Sequence, residues 1–298
     1  MRYDKLNPNV QNSKGTAQAR YAPHKPLLLL CIIDLAEAGE LDPPLLFKTP
    51  GLRLRFDSYW AICQLRWGGL PGLDLPFHHL SSQGFWQTLT KEDTRSRGPH
   101  STHHVQLDDE FITDLGNAKR RDQIRKQLVQ TWFPEIEQRA LYSALGFTTA
   151  KLNQIEWTEA PDTGLESTGR DARFRVTVVT QYQFTCALTG YGLHTQQGHA
   201  LVEAAHIHQF AKSKNNNPDN GLALSRDAHW MFDRGLWTIS ESNRIIVADE
   251  IFKEWGPESE WLKVRHNQEP IFKQDTRLRP APKHLKWHQN NVFEKTES

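Results

Sequence analysis

The chain has 298 residues, a formal net charge of +1, 38% hydrophobic residues, ten Trp and fourteen Phe. That is length for two domains and apolar material for packed cores, which excludes a disordered or low-complexity chain. The longest apolar run, 27–33, is far too short to cross a bilayer, and Met1-Arg2-Tyr3-Asp4 opens no signal peptide. Three Cys (Cys31, Cys63, Cys186) lack pairing or zinc spacing and indicate a reducing compartment, so a soluble cytoplasmic protein with no membrane partner is expected.

Residues 1–22 are polar and read as irregular. Pro26 then stands at a first helical position before LLLLCIIDLAEA, with Gly39 as terminator. This helix is apolar nearly all round at its start and is expected to be buried. Over 52–89, the stretches LRLRF, YWAICQLRW and HHLSSQGFW, separated by Gly and Pro, read as short strands. Two helices follow over 108–115 and 118–132, broken at Gly116-Asn117, and a shorter one near 135–145 after Pro134. The second carries Lys119, Arg120, Arg121, Arg125 and Lys126, which read as a solvated helix face or a local patch for phosphate contact, and a looser basic stretch runs from Lys263 to Lys286. The Thr-, Pro-, Asp-, Gly- and Ser-rich segment 146–169 reads as a linker, and 170–183 as helical. A turn at Thr189-Gly190 precedes a strand, long loop, short helix and hairpin over 201–248. The class expected is α+β: a mixed α/β domain at 1–145, a linker at 146–169 and a second domain at 170–298.

The second domain holds the most informative stretch, EAAHIHQFAKSKNNNPDNGLALSRDAHWMFDRGLWTI. His206 lies on a strand predicted over 201–207, Asn220-Gly221 opens a second extended segment, and Ser225 is a good N-cap for a helix ending at Gly235. On that helix His229 and Asp233 are four residues apart and share a face, half of a divalent metal site. Singly, Asn220 reads as a hairpin turn residue and His206 as a core histidine. Asp233 is harder to dismiss, because a carboxylate in a last helical turn faces the negative dipole end and a local cation would explain it.

CALTG at 186–190, EAAHI at 203–207, NGLAL at 220–224 and HWMFDRG at 229–235 resemble the HNH nuclease module with its ββα-metal fold, over about 170–298. The resemblance implies a general base at His206, a loop-shaping residue at Asn220, a metal ligand at His229 and a further ligand at Asp233. Ala205 stands where many such enzymes have Asp or His, and Glu203 is expected to reach the site only with local distortion. The cysteine pairs that brace some HNH modules are missing, so packing of Trp230, Phe232 and Trp237 is expected to replace them. Histidine is a suitable general base near neutral pH, and Mg²⁺ or Mn²⁺ bound by His and carboxylate supplies the Lewis acid.

In the first domain, His24 and Lys25 open a buried helix whose free N–H groups and dipole favour an anion. HKPLLLL at 24–30, LPFHHLSSQGFW at 75–86, VQLDDEF at 105–111 and QLVQTWFP at 127–134 resemble the sulfur-binding domain of McrA-like, modification-dependent restriction endonucleases. That resemblance implies a reader of phosphorothioate-modified DNA, with His24 and Lys25 as the basic pair and Leu75 and Pro76 as the loop pair of the sulfur pocket. A non-bridging sulfur is larger and less hydrated than oxygen, so an apolar wall accepts it at low desolvation cost. His78, with His79, His100, His103 and His104, lacks Cys and zinc spacing and reads as DNA contact or plain surface. The expectation is an HNH endonuclease that reads phosphorothioate duplex DNA and hydrolyses phosphodiesters. The alternatives are an HNH nuclease reading another mark such as a methylated base, and a non-cutting DNA sensor on a degenerate HNH scaffold. A double-strand cut from one site per chain suggests a homodimer.

Overall fold

Residues 3, 5–10, 17–157, 163–272 and 279–293 are described, from a computed structural model. The chain divides into two compact units, Met1–Arg173 with Gln196–His199, and Phe174–Thr195 with Ala200–Ser298. Among the described residues no helix is long and apolar enough to cross a membrane.

The first unit opens with a helical turn, α1 (Ala17–Arg20), and then α2 (His24–Ala38), in which every residue from Pro26 to Leu35 is buried. Gly39 ends α2 at φ 72°, a left-handed conformation that glycine adopts without a Cβ clash. After strand β1 (Leu45–Phe47), the stretch expected as strands is instead one helix, α3 (Pro50–Trp67). Thr49 caps it by accepting from the Leu52 N–H, Pro50 occupies the first turn, and Leu52, Phe56, Tyr59, Trp60 and Cys63 recur at helical spacing on its buried side. A short helix α4 (Asp74–His79) and a 3₁₀ turn lead into β2 (Trp86–Leu89), so of the expected strand HHLSSQGFW only its last residue is strand. Strand β3 (His104–Leu107) pairs antiparallel with both others, placing Val105 opposite Leu46 on one side and Thr88 on the other.

Helices α5 (Asp109–Gly116), α6 (Ala118–Trp132) and α7 (Glu135–Ala144) agree with the expected boundaries within about a residue. The basic face of α6 is largely engaged. Arg120 Nε donates to Asp114 at 2.8 Å, Arg121 donates to the Leu115 carbonyl at 2.7 Å, and Arg125 is buried against Glu37 and Asp122. Residues 5–9 form no regular element, as expected, but Tyr3 and Leu6 are buried. The expected linker contains a further turn, α8 (Thr149–Leu152), with Leu152 buried, while 158–162 lie outside the described residues. The division of units falls within α9 (Thr163–Gln181).

In the second unit, β4 (Val202–His206) and β5 (Gly221–Ser225) form an antiparallel ribbon with His206 opposite Gly221. Between them lie the helical turn α10 (Phe210–Ser213) and a loop. Ser225 Oγ accepts from Ala228 N at 3.4 Å and starts α11 (Arg226–Asp233), and Gly235 turns out of it at φ 70°. The hairpin β6 (Trp237–Ile239) and β7 (Ile245–Val247) follows, and α12 (Pro282–His288) packs behind α11. Of the three aromatics expected to brace the module, Phe232 and Trp237 are fully buried, with rings 4.8 Å apart, and the Trp237 indole N–H donates to the Ala228 carbonyl at 3.0 Å. Trp230 is 54% exposed and lies beside Arg234 instead, while His288 supplies the third ring, stacked on Phe232 at 3.6 Å.

Candidate active site

Strand β4 and helix α11 present four titratable side chains to one place, Glu203 and His206 from the strand and His229 and Asp233 from the helix. His206 ends β4 and lies flat on Phe174 of α9, with centroids 4.0 Å apart and planes 9° apart. A Cβ on the opposite residue, Gly221, would come within 2.4 Å of Val178 and 3.0 Å of Phe174, so only glycine lets α9 pack this close. Asn220, fully buried, ties the loop to the strand end. Its Oδ1 accepts from His208 N at 2.8 Å, and its Nδ2 donates to the carbonyls of His208 at 3.0 Å and Asn215 at 3.1 Å. It is a loop-shaping residue rather than a plain hairpin corner.

On α11, the four-residue spacing puts His229 and Asp233 on one face, with Nε2 of the ring 3.4 Å from Asp233 Oδ2. The other nitrogen, Nδ1, is 2.8 Å from Glu203 Oε1. The β4–β5 pairing runs in regular register through Glu203, opposite Leu224, so it reaches the helix without the local distortion expected. Glu203 is the site residue that strand alternation alone left out. Its hydrogen bond to His229 holds its carboxyl below the usual range, and the same bond, with Asp233 behind it, raises His229 against the opposing effect of burial. Burial raises Asp233, with His229 and Arg234 opposing. One imidazole therefore bridges two carboxylates, both of them about half exposed.

That donor set, an imidazole nitrogen with carboxylate oxygens on a strand and a helix face, suits a hard or borderline divalent cation. Among the described residues no group of three or more His, Cys, Asp or Glu is poised to hold a metal ion. Binding one at His229 would require the proton shared with the carboxylates to leave.

In the first unit, a cavity of about 390 Å³ is lined by Asn7, Ala22, His24, Lys25, Leu75, Pro76 and His79, among others. Four of the five residues singled out there thus meet in one place. Leu75 is exposed and Pro76 buried, giving an apolar wall beside polar groups. The details differ from expectation. The Lys25 ammonium donates to the carbonyls of Leu6 at 3.1 Å and Asn7 at 3.4 Å, holding the segment that forms another wall, and burial pushes its pKa down. His24 packs against Trp60 at 4.6 Å, and burial, then Arg66, lowers its pKa. His78 turns away to Thr102 Oγ1 at 2.7 Å, and its neighbour His79 lines the cavity in its place.

Residues 186–240 match the family model described as HNH endonuclease, so the ββα unit around His206, Asn220 and His229 is an HNH endonuclease domain. Among solved structures, one described as "Modification dependent TagI restriction endonuclease" aligns at 17% identity with a TM-score of 0.32, over 41% of this chain and 38% of that one. The chain thus spans well under half the length of that structure. No curated protein matches the chain.

Proposed function

We propose, from a chain that carries an HNH endonuclease domain, that the second unit hydrolyses DNA phosphodiesters and that the first unit selects phosphorothioate-modified duplex for it. The observation that carries the reading is the bridge from Glu203 through His229 to Asp233, with His206 near enough to act on Asp233 and Asn220 fixing the loop beside it. His206 takes the proton from the attacking water while the water oxygen bonds to phosphorus and the 3′ oxygen leaves. Phe174 holds the plane of its ring, and Asn220 holds the strand end beyond it. Glu203, His229 and Asp233 are the residues that would hold Mg²⁺ or Mn²⁺, which when bound stabilises charge on the phosphate and on the leaving oxygen. The two carboxylates keep the imidazole of His229 directed into the site.

The cavity of the first unit supports the choice of mark. Ala22, Leu75 and Pro76 give a polarisable, weakly hydrated sulfur an apolar surface, while an unpaired phosphate oxygen there would lose hydration worth several kcal/mol. His24, His79 and the serines at 81 and 82 supply polar contacts for the rest of the phosphate. A break in both strands from one such site per chain calls for two copies of the chain on the DNA.

The test is incubation of the full chain with phosphorothioate and plain plasmid, each with Mn²⁺ or with EDTA. Cutting is expected only of the modified plasmid and only with Mn²⁺. Equal cutting of both plasmids would refute the sulfur reading and leave the nuclease, and cutting of neither, nor of methylated plasmid, would refute the nuclease.

A further inference from the structure

We infer that Asn216 is the positioning residue that decides which nitrogen of His206 acts as the base, an inference that rests on the reading of His206 as that base. The ring of His206 is stacked on Phe174, and Phe210 approaches it with centroids 5.3 Å apart. Aromatic faces fix the plane of an imidazole and nothing more. A half-turn about χ2 leaves the ring in the same plane with Nδ1 and Cδ2 exchanged, and torsions of this kind are close to two-fold. Neither phenyl ring distinguishes the two states.

Asn216 does. Its Oδ1 lies 2.8 Å from His206 Nε2, so the Nε2–H donates and the amide oxygen accepts. A proton held on Nε2 leaves the lone pair of the neutral ring on Nδ1, and Nδ1 is then the nitrogen that receives the proton of water. The flipped ring would turn a carbon toward Asn216 and lose the bond.

The placement of Asn216 is itself built. Asn215 N donates to Ser213 Oγ at 3.2 Å, Asn217 N donates to Asn215 Oδ1 at 2.9 Å, and the Asn215 carbonyl accepts from Asn220 at 3.1 Å. From α12, His284 Nε2 meets Asn215 Nδ2 at 3.2 Å. The residue before Asn216 is therefore gripped by Asn220, inside the family match, and by a helix outside it. Together they set the reach of the next side chain.

The experiment uses the full chain labelled with ¹⁵N-histidine, in which protonated and unprotonated ring nitrogens of a neutral imidazole resonate far apart; His206→Gln assigns the signal. The wild type is expected to show the Nε2–H tautomer. Asn216→Leu, similar in shape but without an acceptor, is expected to show a tautomer mixture and a kcat about 10- to 100-fold lower at unchanged DNA affinity, the usual range for losing a partner that orients a functional side chain. Asn216→Asp restores the acceptor and is expected to recover the tautomer and most of kcat. Asn216→Ala replaces the Leu variant if that one does not fold. A wild-type tautomer in the acceptor-free variant overturns the inference whatever its activity, and so does an altered tautomer with unchanged kcat. Wild-type protein that cuts no DNA would sink the nuclease reading, while the nitrogen shifts would still decide what Asn216 does.

Discussion

Acidification should loosen the second unit through His288. This residue is 1% exposed and stacks on Phe232 with planes 7° apart. Its Nε2–H donates to the Phe232 carbonyl at 3.0 Å, so Nδ1 accepts from the Thr238 hydroxyl at 2.9 Å, and both nitrogens are satisfied only in the neutral ring. Burial pushes the pKa down to about 4, against partial opposition from the Phe232 hydrogen bond. An unfolded histidine titrates near 6.5, so between those values the unfolded chain binds more protons and stability falls as pH falls. The contribution is whole above about 6.5 and is lost down to about 4. At 1.36 kcal/mol per unit it amounts to about 3 kcal/mol over the window, of which about 2 kcal/mol falls between pH 7 and 5. His288→Phe keeps a ring on Phe232 and removes the titration, so it should be less stable than wild type at neutral pH but flatter toward acid. The measurement is the opening free energy of the β6–β7 amides by hydrogen exchange at several pH values, because two units have no single unfolding free energy. His208 and His284, also lowered by burial, act alike in both proteins and cancel in the difference. Identical pH dependences, or a His288 signal titrating near 6.5, would refute the reasoning.

Two further outcomes are expected. Glu203→Gln and His229→Ala should each weaken Mn²⁺ binding by at least about tenfold in calorimetric titration, with Asp233→Ala less severe; unchanged affinity in all three moves the metal elsewhere. Pro76→Ala should cost about tenfold in preference for phosphorothioate over plain duplex, the worth of about two methylenes of apolar contact, whereas Lys25→Met should loosen residues 5–10 in hydrogen exchange and leave the salt dependence of binding unchanged. A salt slope shallower by about one would make Lys25 a phosphate ligand after all.

What was legible in the sequence depended on how locally each feature is decided. Helix α11 needs only Ser225 to cap it, apolar residues on one side and Gly235 to end it, all within eleven positions, and each could be read directly. The same holds for α2 between Pro26 and Gly39. Helix α3 is read as strands because LRLRF alternates and YWAICQLRW is rich in aromatic residues, although Pro50 marks a helix start and Gly68 its end. The periodicity of Leu52, Phe56, Tyr59 and Cys63 outweighs the β-favouring content of YWAICQLRW, since all four positions are buried.

The site divides along the same line. His206, Asn220, His229 and Asp233 lie in short blocks with local signatures. Glu203, Asn216 and His79 acquire their places from tertiary contacts: the bond across to His229, a loop clamped by α12, and a cavity shared with distant segments. Strand alternation assigns Glu203 to a face but says nothing of which side chain of α11 meets it there. For the base itself, local pattern selects the residue while tertiary contacts select the nitrogen. Any chain with the same blocks but no acceptor at the position of Asn216 should therefore need another way to hold the Nε2 proton of its histidine.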